Sequence, residues 1–238
     1  IWFIPFPQGE PRRITNDLIN YNGLSFARDT GKVVTTQSTK VSRLWVVNDG
    51  DAEQATQAAS VGIDYFSEKL GLGWLPDGRL IYGSRASGNA DIWMMNPDGS
   101  NQKQLTVETT VEGQPTVSPD GRYVAFLSNR AGTYNIWRMD IDGTHAKQLT
   151  TGPWENSPSF TPDGKWVVYN GTVHEKPVLL KVATDGGTPI QLTDDISMRP
   201  VVSPDGKMVA HLHLDEVTQR MKLAVVPLAG DHQVKTFE

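Results

Sequence analysis

A short turn-forming segment returns along this chain at an almost constant interval. Pro-Asp-Gly occurs five times, and four of these copies start 42 or 43 residues apart. These four periodic copies occupy residues 76–78, 119–121, 162–164 and 204–206, and a weaker one, Arg-Asp-Thr-Gly, occupies 28–31. The fifth copy, at 97–99, lies outside this series. A period of about 40 to 45 residues is typical of four-stranded propeller blades. This repeat therefore constrains the architecture more than any other feature of the sequence.

Two further markers keep the same phase. One is an aromatic or aliphatic residue in the middle of a β-rich run, and the other is a threonine that closes the unit, three times as Gln-Leu-Thr. The central residues are Trp2, Trp45, Trp93, Trp137, Leu180 and Ala224, and the closing ones are Thr15, Thr56, Thr106, Thr150 and Thr193. Because the tryptophans recur at one structural position, we interpret them as packing between blades and not as a ligand cage.

The unit from residue 112 to 150 shows what each repeat encodes. It contains four runs of strand length, rich in β-branched and aromatic residues. Pro-Asp-Gly joins the first two runs and Asp142-Gly143 joins the last two, so the strands are predicted to meander antiparallel. A four-stranded sheet cannot bury both faces alone, and stacking sheets in a ring solves this. The predicted fold class is therefore all-β, a β-propeller of four-stranded antiparallel blades.

The markers also divide the chain. We expect a single propeller domain over 1–238, with the outer strands of a partial first blade in 1–20. Five full blades are predicted at about 21–62, 63–108, 109–152, 153–195 and 196–238. Six blades is the expected closed ring, with the first blade incomplete at the N-terminus and completed by residues before Ile1 or by a partner. An open ring is the alternative.

Composition excludes several classes of function. The net charge is −5, so there is no broad positive field for nucleic acid, and no apolar run is long enough to insert in a membrane. The absence of cysteine excludes thiolate catalysis, disulfides and cysteine-bound zinc, and leaves both cytoplasm and periplasm open.

One segment carries a family resemblance. Residues 118–130, Ser-Pro-Asp-Gly-Arg-Tyr-Val-Ala-Phe-Leu-Ser-Asn-Arg, are followed by Asn-Ile-Trp at 135–137, Asp-Gly at 142–143 and Gln-Leu-Thr at 148–150. This combination resembles the WD40-like repeat of the TolB type. The resemblance covers nearly the whole chain and is weaker in the second and last blades. It implies a six-bladed bacterial propeller, periplasmic or otherwise extracytoplasmic, that serves as a protein-binding platform in the Tol-Pal envelope system.

The search for catalytic motifs favours a non-enzymatic function. The sequence contains no Gly-x-Ser-x-Gly elbow, Walker loop or His-Glu-x-x-His motif, and no cofactor is predicted. We therefore expect a protein-binding or sensory module. Similar repeats also occur in prolyl-oligopeptidase-like serine peptidases, so a peptidase propeller with its catalytic domain outside this chain is one alternative. A propeller that binds a small ligand or a metal is another.

Two sets of residues suggest chemistry but have simpler explanations. His211 and His213 lie on one face of a strand and could hold a metal together with Asp215, but alternation on an exposed or edge strand explains them without one. The aspartates of the Pro-Asp-Gly segments are spread around a ring, so we assign them to turn formation.

The predicted binding site lies where the period is kept but the residue type varies, at the channel ends of the innermost strands. Seven positions before the turn proline, or its equivalent, stand Tyr21, Lys69, Glu112, Glu155 and Ser197; five positions before it stand Gly23, Gly71, Gln114, Ser157 and Arg199. We expect both sets to line or rim the channel.

A mixed ring of charges could there bind a small polar ligand, a cation or a peptide end, while a solvated channel mouth is the simpler alternative. Nearby loops add Trp154, His174-Glu175 and Met198. The predicted partner- or ligand-binding residues are Tyr21, Lys69, Glu112, Gln114, Trp154, Glu155, His174 and Arg199.

Overall fold

The computed structural model describes residues 2–3, 10, 12–13, 20–26, 33–38, 42–47, 56–61, 71–230 and 233–237. Within these ranges all secondary-structure elements are β-strands, which confirms the all-β prediction. No helix capable of crossing a membrane is found among the described residues.

Three antiparallel strand pairs precede the larger sheets. They are β1 (Trp2–Phe3) with β2 (Arg12–Arg13), β3 (Asn20–Phe26) with β4 (Val33–Ser38), and β5 (Ser42–Val46) with β6 (Thr56–Val61). The assignment of β1 and β2 to a partial first blade stays a prediction. The number of blades and their boundaries stay predictions.

Four sheets of four antiparallel strands follow, and in each the strands are neighbours in chain order. Sheet 1 contains β7 (Leu72–Trp74), β8 (Leu80–Ser84), β9 (Asp91–Met95) and β10 (Lys103–Gln104). Sheet 2 contains β11 (Glu112–Val117), β12 (Tyr123–Ser128), β13 (Asn135–Asp140) and β14 (Lys147–Gln148). Sheet 3 contains β15 (Asn156–Phe160), β16 (Trp166–Val173), β17 (Lys176–Ala183) and β18 (Ile190–Gln191). Sheet 4 contains β19 (Ser197–Val202), β20 (Met208–Asp215), β21 (Arg220–Pro227) and β22 (Lys235–Thr236). The predicted meander is confirmed.

The four periodic Pro-Asp-Gly segments form the turns between the first two strands of these sheets. In sheet 2 the Asp120 carboxylate accepts a hydrogen bond from the Ser118 hydroxyl at 2.6 Å and one from the Arg122 N–H at 3.1 Å. The bond from Ser118, more than that from Arg122, keeps the pKa of Asp120 below its ordinary value. Gly121 follows with a φ of 71°, which glycine adopts without strain. Turn formation thus accounts for the recurrent aspartate.

Apolar side chains from neighbouring sheets form the core, so the sheets stack face to face. Each interface has its own cluster: Ile81, Ile92, Val124, Phe126 and Met139 between sheets 1 and 2; Ala125, Ile136, Tyr169, Val178 and Val182 between sheets 2 and 3; Val168, Leu179, Val209 and Val226 between sheets 3 and 4. A fully buried Val, Leu, Ile or Phe contributes about 1.5–3 kcal/mol. These clusters therefore outweigh the exposed ion pairs in stabilising the stack.

The recurrent tryptophans behave differently along the chain. Trp93 and Trp137 are half-buried against core clusters, as expected for packing between blades. Trp45 is 54% exposed, so packing does not account for this member of the series.

The closing threonines tie the outer strands to the sheet. Thr106, Thr150 and Thr193 are buried, and each hydroxyl accepts a backbone N–H from the third strand at 2.9 Å. The conserved geometry explains why this residue keeps its phase in the repeat: a buried N–H without an acceptor is costly.

Because the strands of each sheet meander, their connections lie alternately at two opposite ends of the molecule. Hairpins between second and third strands lie at the end where one sheet passes to the next, and the Pro-Asp-Gly turns lie at the other. At the first of these ends, Asn89 joins the β8–β9 hairpin to the connection between sheets 1 and 2, because its Nδ2 donates to the carbonyl of Thr110 at 3.0 Å. We name the first end the connection face; it comprises residues 85–90, 107–111, 129–134, 151–155, 174–175, 194–196 and 216–219.

Candidate binding site at the central cavity

The first strand of each four-stranded sheet packs beside the first strand of the next, so these strands line the centre. In β11, β15 and β19 the register with the second strand shifts, between Gly113 and Thr116, Asn156 and Ser159, and Met198 and Val201. These shifts are β-bulges, which change the direction in which side chains point.

One residue in each bulge has a left-handed backbone. The φ angles are 51° at Gln114, 56° at Ser157 and 58° at Arg199, and Gly71 beside β7 has 80°. The three non-glycine residues each precede a proline, which lacks the N–H needed to continue the ladder. We call Gly71, Gln114, Ser157 and Arg199 the bulge positions.

The bulge positions surround a cavity of about 300 Å³, which we call the central cavity. Its lining residues are Gly71, Leu72, Gln114, Pro115, Ser157, Pro158, Arg199, Pro200 and Val201. The structure thus brings together Gln114 and Arg199, two of the predicted site residues, with Gly71 and Ser157 from the same set.

The positions two residues earlier in each strand lie elsewhere, which corrects the expectation that they line the channel. Glu112, Glu155 and Ser197 are 0%, 3% and 0% exposed. Oε1 of Glu112 accepts hydrogen bonds from the hydroxyls of Thr110 and Ser128 at 2.7 and 2.8 Å. It also lies 3.5 Å from a guanidinium nitrogen of Arg130.

Glu155 sits at the centre of a buried polar cluster between sheets 2 and 3. Its carboxylate accepts a hydrogen bond from Asn135 Nδ2 at 2.9 Å and another from the Thr150 hydroxyl. Burial raises the pKa of Tyr169, and the Glu155 charge adds to the rise. With these partners Glu155 joins two sheets and does not face the cavity.

Sheet 4 has no comparable cluster. The Ser197 hydroxyl, His211 Nε2 and His213 Nδ1 have no hydrogen-bond partner among the described residues. His211 is 2% exposed on an inner strand, which corrects the interpretation of the pair as exposed or at an edge. Burial lowers the pKa of His211. No group of three His, Asp or Glu side chains able to hold a metal is found in the described part of the chain.

The other predicted site residues are dispersed. Trp154, on the connection face, is 50% exposed, and His174 with Glu175 forms the tip of the β16–β17 hairpin. Tyr21 belongs to β3, where its backbone pairs with Gln37. Lys69 lies outside the described residues.

Two functional candidates escaped sequence reasoning. Val107 and Val217, both on the connection face, are 78% and 94% exposed. An isolated valine in a polar loop gives no periodic signal. Only its occurrence outside any strand pattern could have drawn attention to it.

Comparison with known proteins decides the family. The profile of the TolB β-propeller domain matches residues 9–196. The chain belongs to this family. A TolB homolog from Chlorobaculum tepidum is 40% identical over 48 residues, which is 20% of this chain and 11% of the relative.

Solved TolB structures have the same fold as this TolB-family propeller. TolB from Acinetobacter baumannii superposes with a TM-score of 0.69 at 24% identity, covering 82% of this chain and 48% of that one. A putative TolB from Agrobacterium tumefaciens gives 0.68 at 19% identity, covering 95% and 83%. The chain thus matches about half of the A. baumannii protein, and at these identities the likeness concerns the fold.

Proposed function

We propose that this TolB-family propeller is a non-enzymatic protein-binding or sensory module that contacts its partner through the connection face. One observation carries the proposal: Val107, Trp154 and Val217 are all highly exposed, and all lie on this face. Exposed apolar and aromatic side chains on the loops of a rigid scaffold are common anchors for protein contacts. The opposite end is occupied by turns whose aspartates accept hydrogen bonds from backbone N–H groups.

The family supports a location for this module. TolB-type propellers imply a bacterial, extracytoplasmic setting, and we propose the same for this chain. The net charge of −5 favours a protein partner over nucleic acid.

Capture of partners from an envelope extract of the source organism tests the proposal. The double variant Trp154→Ser, Val217→Ser removes two apolar anchors from the connection face. A matched control, Ile190→Ser, removes a 42%-exposed apolar side chain from the outer strand β18. We expect proteins captured by the wild type and by the control to be lost with the double variant, as measured by quantitative mass spectrometry.

Equal capture by all three proteins, each shown to be folded by circular dichroism, would overturn the proposal. So would loss with the Ile190→Ser control alone, because that would move the contact to the rim of the sheets.

A further inference from the structure

The wall of the central cavity combines apolar surface with a single charge. Of its nine lining residues, all within the described part of the chain, only Arg199 is charged. Leu72 and Val201 are 53% and 62% exposed, and three prolines complete the apolar wall. The carboxylates expected to compensate this charge, Glu112 and Glu155, are buried. The cavity is therefore positive and partly apolar.

The charged group in the cavity wall is the guanidinium of Arg199. No carboxylate among the described residues pairs with its guanidinium, although the side chain is exposed. Its backbone N–H already donates to Asn170 Oδ1 at 2.7 Å. Among the described residues its guanidinium has no hydrogen-bond acceptor, and the planar set of N–H donors matches the geometry of a carboxylate.

Gln114 adds a second donor whose orientation is fixed. Its Oε1 accepts the backbone N–H of Ser157 at 2.7 Å, so the amide group must present Nε2 elsewhere. Nε2 has no acceptor among the described residues. Gln114 and Arg199 both line the cavity, and both are held there by bulges with left-handed backbone. Strained positions of this kind often mark binding sites.

From this donor set and wall we infer that the central cavity binds the carboxyl terminus of a peptide with an apolar last residue. Arg199 and Gln114 would hold the carboxylate, and Leu72 and Val201 would contact the last side chain. A volume of about 300 Å³ is at the lower end for ligand pockets and suits one chain end better than a folded loop. The inference rests on the proposed function, since it names the part of a partner that the module recognises.

Small probes test the inference without the partner. We would titrate the protein with N-acetylleucine, N-acetylleucinamide and N-acetylaspartic acid α-amide, and follow binding by calorimetry and NMR. We expect N-acetylleucine to bind, the leucinamide to bind at least about tenfold more weakly, and the Arg199→Gln variant to lose about tenfold in affinity for N-acetylleucine. Arg220→Gln, which removes an exposed arginine from β21, should bind like the wild type.

Three results would overturn the inference: no binding of N-acetylleucine, equal binding of the leucinamide, or unchanged affinity in Arg199→Gln. Preference for the aspartate probe would overturn the assignment to a chain end. Because the Trp154→Ser, Val217→Ser protein should still bind N-acetylleucine, failure of the cavity site and failure of the connection face give different patterns.

Discussion

Glu155 and Ser157 lie two residues apart at the start of one sheet, yet they face different surroundings. Glu155 is 3% exposed and joins sheets 2 and 3, whereas Ser157 lines the central cavity. The same contrast separates Glu112 from Gln114 and Ser197 from Arg199. In a regular strand, residues i and i+2 share a face. The difference teaches that the bulge, and not the alternation of the strand, decides which side chains reach the cavity.

The strongest way to break this contrast is to place a positive charge at the buried position. Glu155→Lys would remove the acceptor for Asn135 and Thr150 and bury an unpaired ammonium group. We expect a loss of about 3–5 kcal/mol in the free energy of unfolding, measured by urea titration followed by circular dichroism.

The matched control is Ser157→Lys, which puts the same side chain into the cavity two residues later. Its stability should stay within about 1 kcal/mol of the wild type. If both lysine variants were equally stable, the placement of Glu155 in the interior would be wrong.

A smaller loss should follow from adding one carbon atom at the ring of bulge positions. In Gly71→Ala the new Cβ would lie 2.6 Å from Gln114 Cα, and φ is 80°. We expect a loss of about 2–3 kcal/mol. Gly78→Ala has a similar φ, 85°, with open space around the Cβ, and should lose only about 1 kcal/mol. Both losses are measured by thermal unfolding, and their difference gives the cost of the contact between the new Cβ and Gln114. Equal losses would mean that backbone strain alone accounts for both.

The stability of sheet 4 is expected to depend on pH, because His211 stands at the position that Phe126 and Tyr169 occupy in sheets 2 and 3. Burial lowers the pKa of His211, so below about pH 6.5 the unfolded chain binds more protons at this residue than the folded chain. This residue's contribution to stability should therefore fall as pH drops from about 7.5 to 5.5. His211→Phe should reduce the slope of melting temperature against pH. An unchanged slope would show that His211 is solvated.

The smallest effect is expected at Ser157, the residue of the pair that lines the cavity. Ser157→Gly relieves a left-handed φ of 56° and removes only the hydroxyl's bond to Asn156. Stability should rise by up to about 1 kcal/mol. A clear loss in thermal unfolding would mean that the side chain, and not the backbone, supports the bulge.

The sequence predicted what depends on neighbours along the chain. Asp120 and Gly121 are fixed by turn chemistry within a few residues, and the Thr150 hydroxyl accepts the N–H of Ile136 within the same repeat unit. The all-β meander follows from such local signals repeated at a constant period. Four of the five residues that stand five positions before the turn proline, or its equivalent, line the cavity, and the period alone had grouped them; Gly23 is not among the lining residues.

What the period could not predict is the direction of the side chain two residues earlier. Pro158 shows in the sequence that the ladder is interrupted, but it does not show to which side the strand turns Glu155. That is decided by Asn135 and Thr150 of the preceding sheet, which provide hydrogen-bond donors for a buried carboxylate. The sequence thus determined the repeating strands and turns. Only the stacking of the sheets decided which polar side chains are buried between sheets and which line the cavity, because burial depends on contacts between distant parts of the chain.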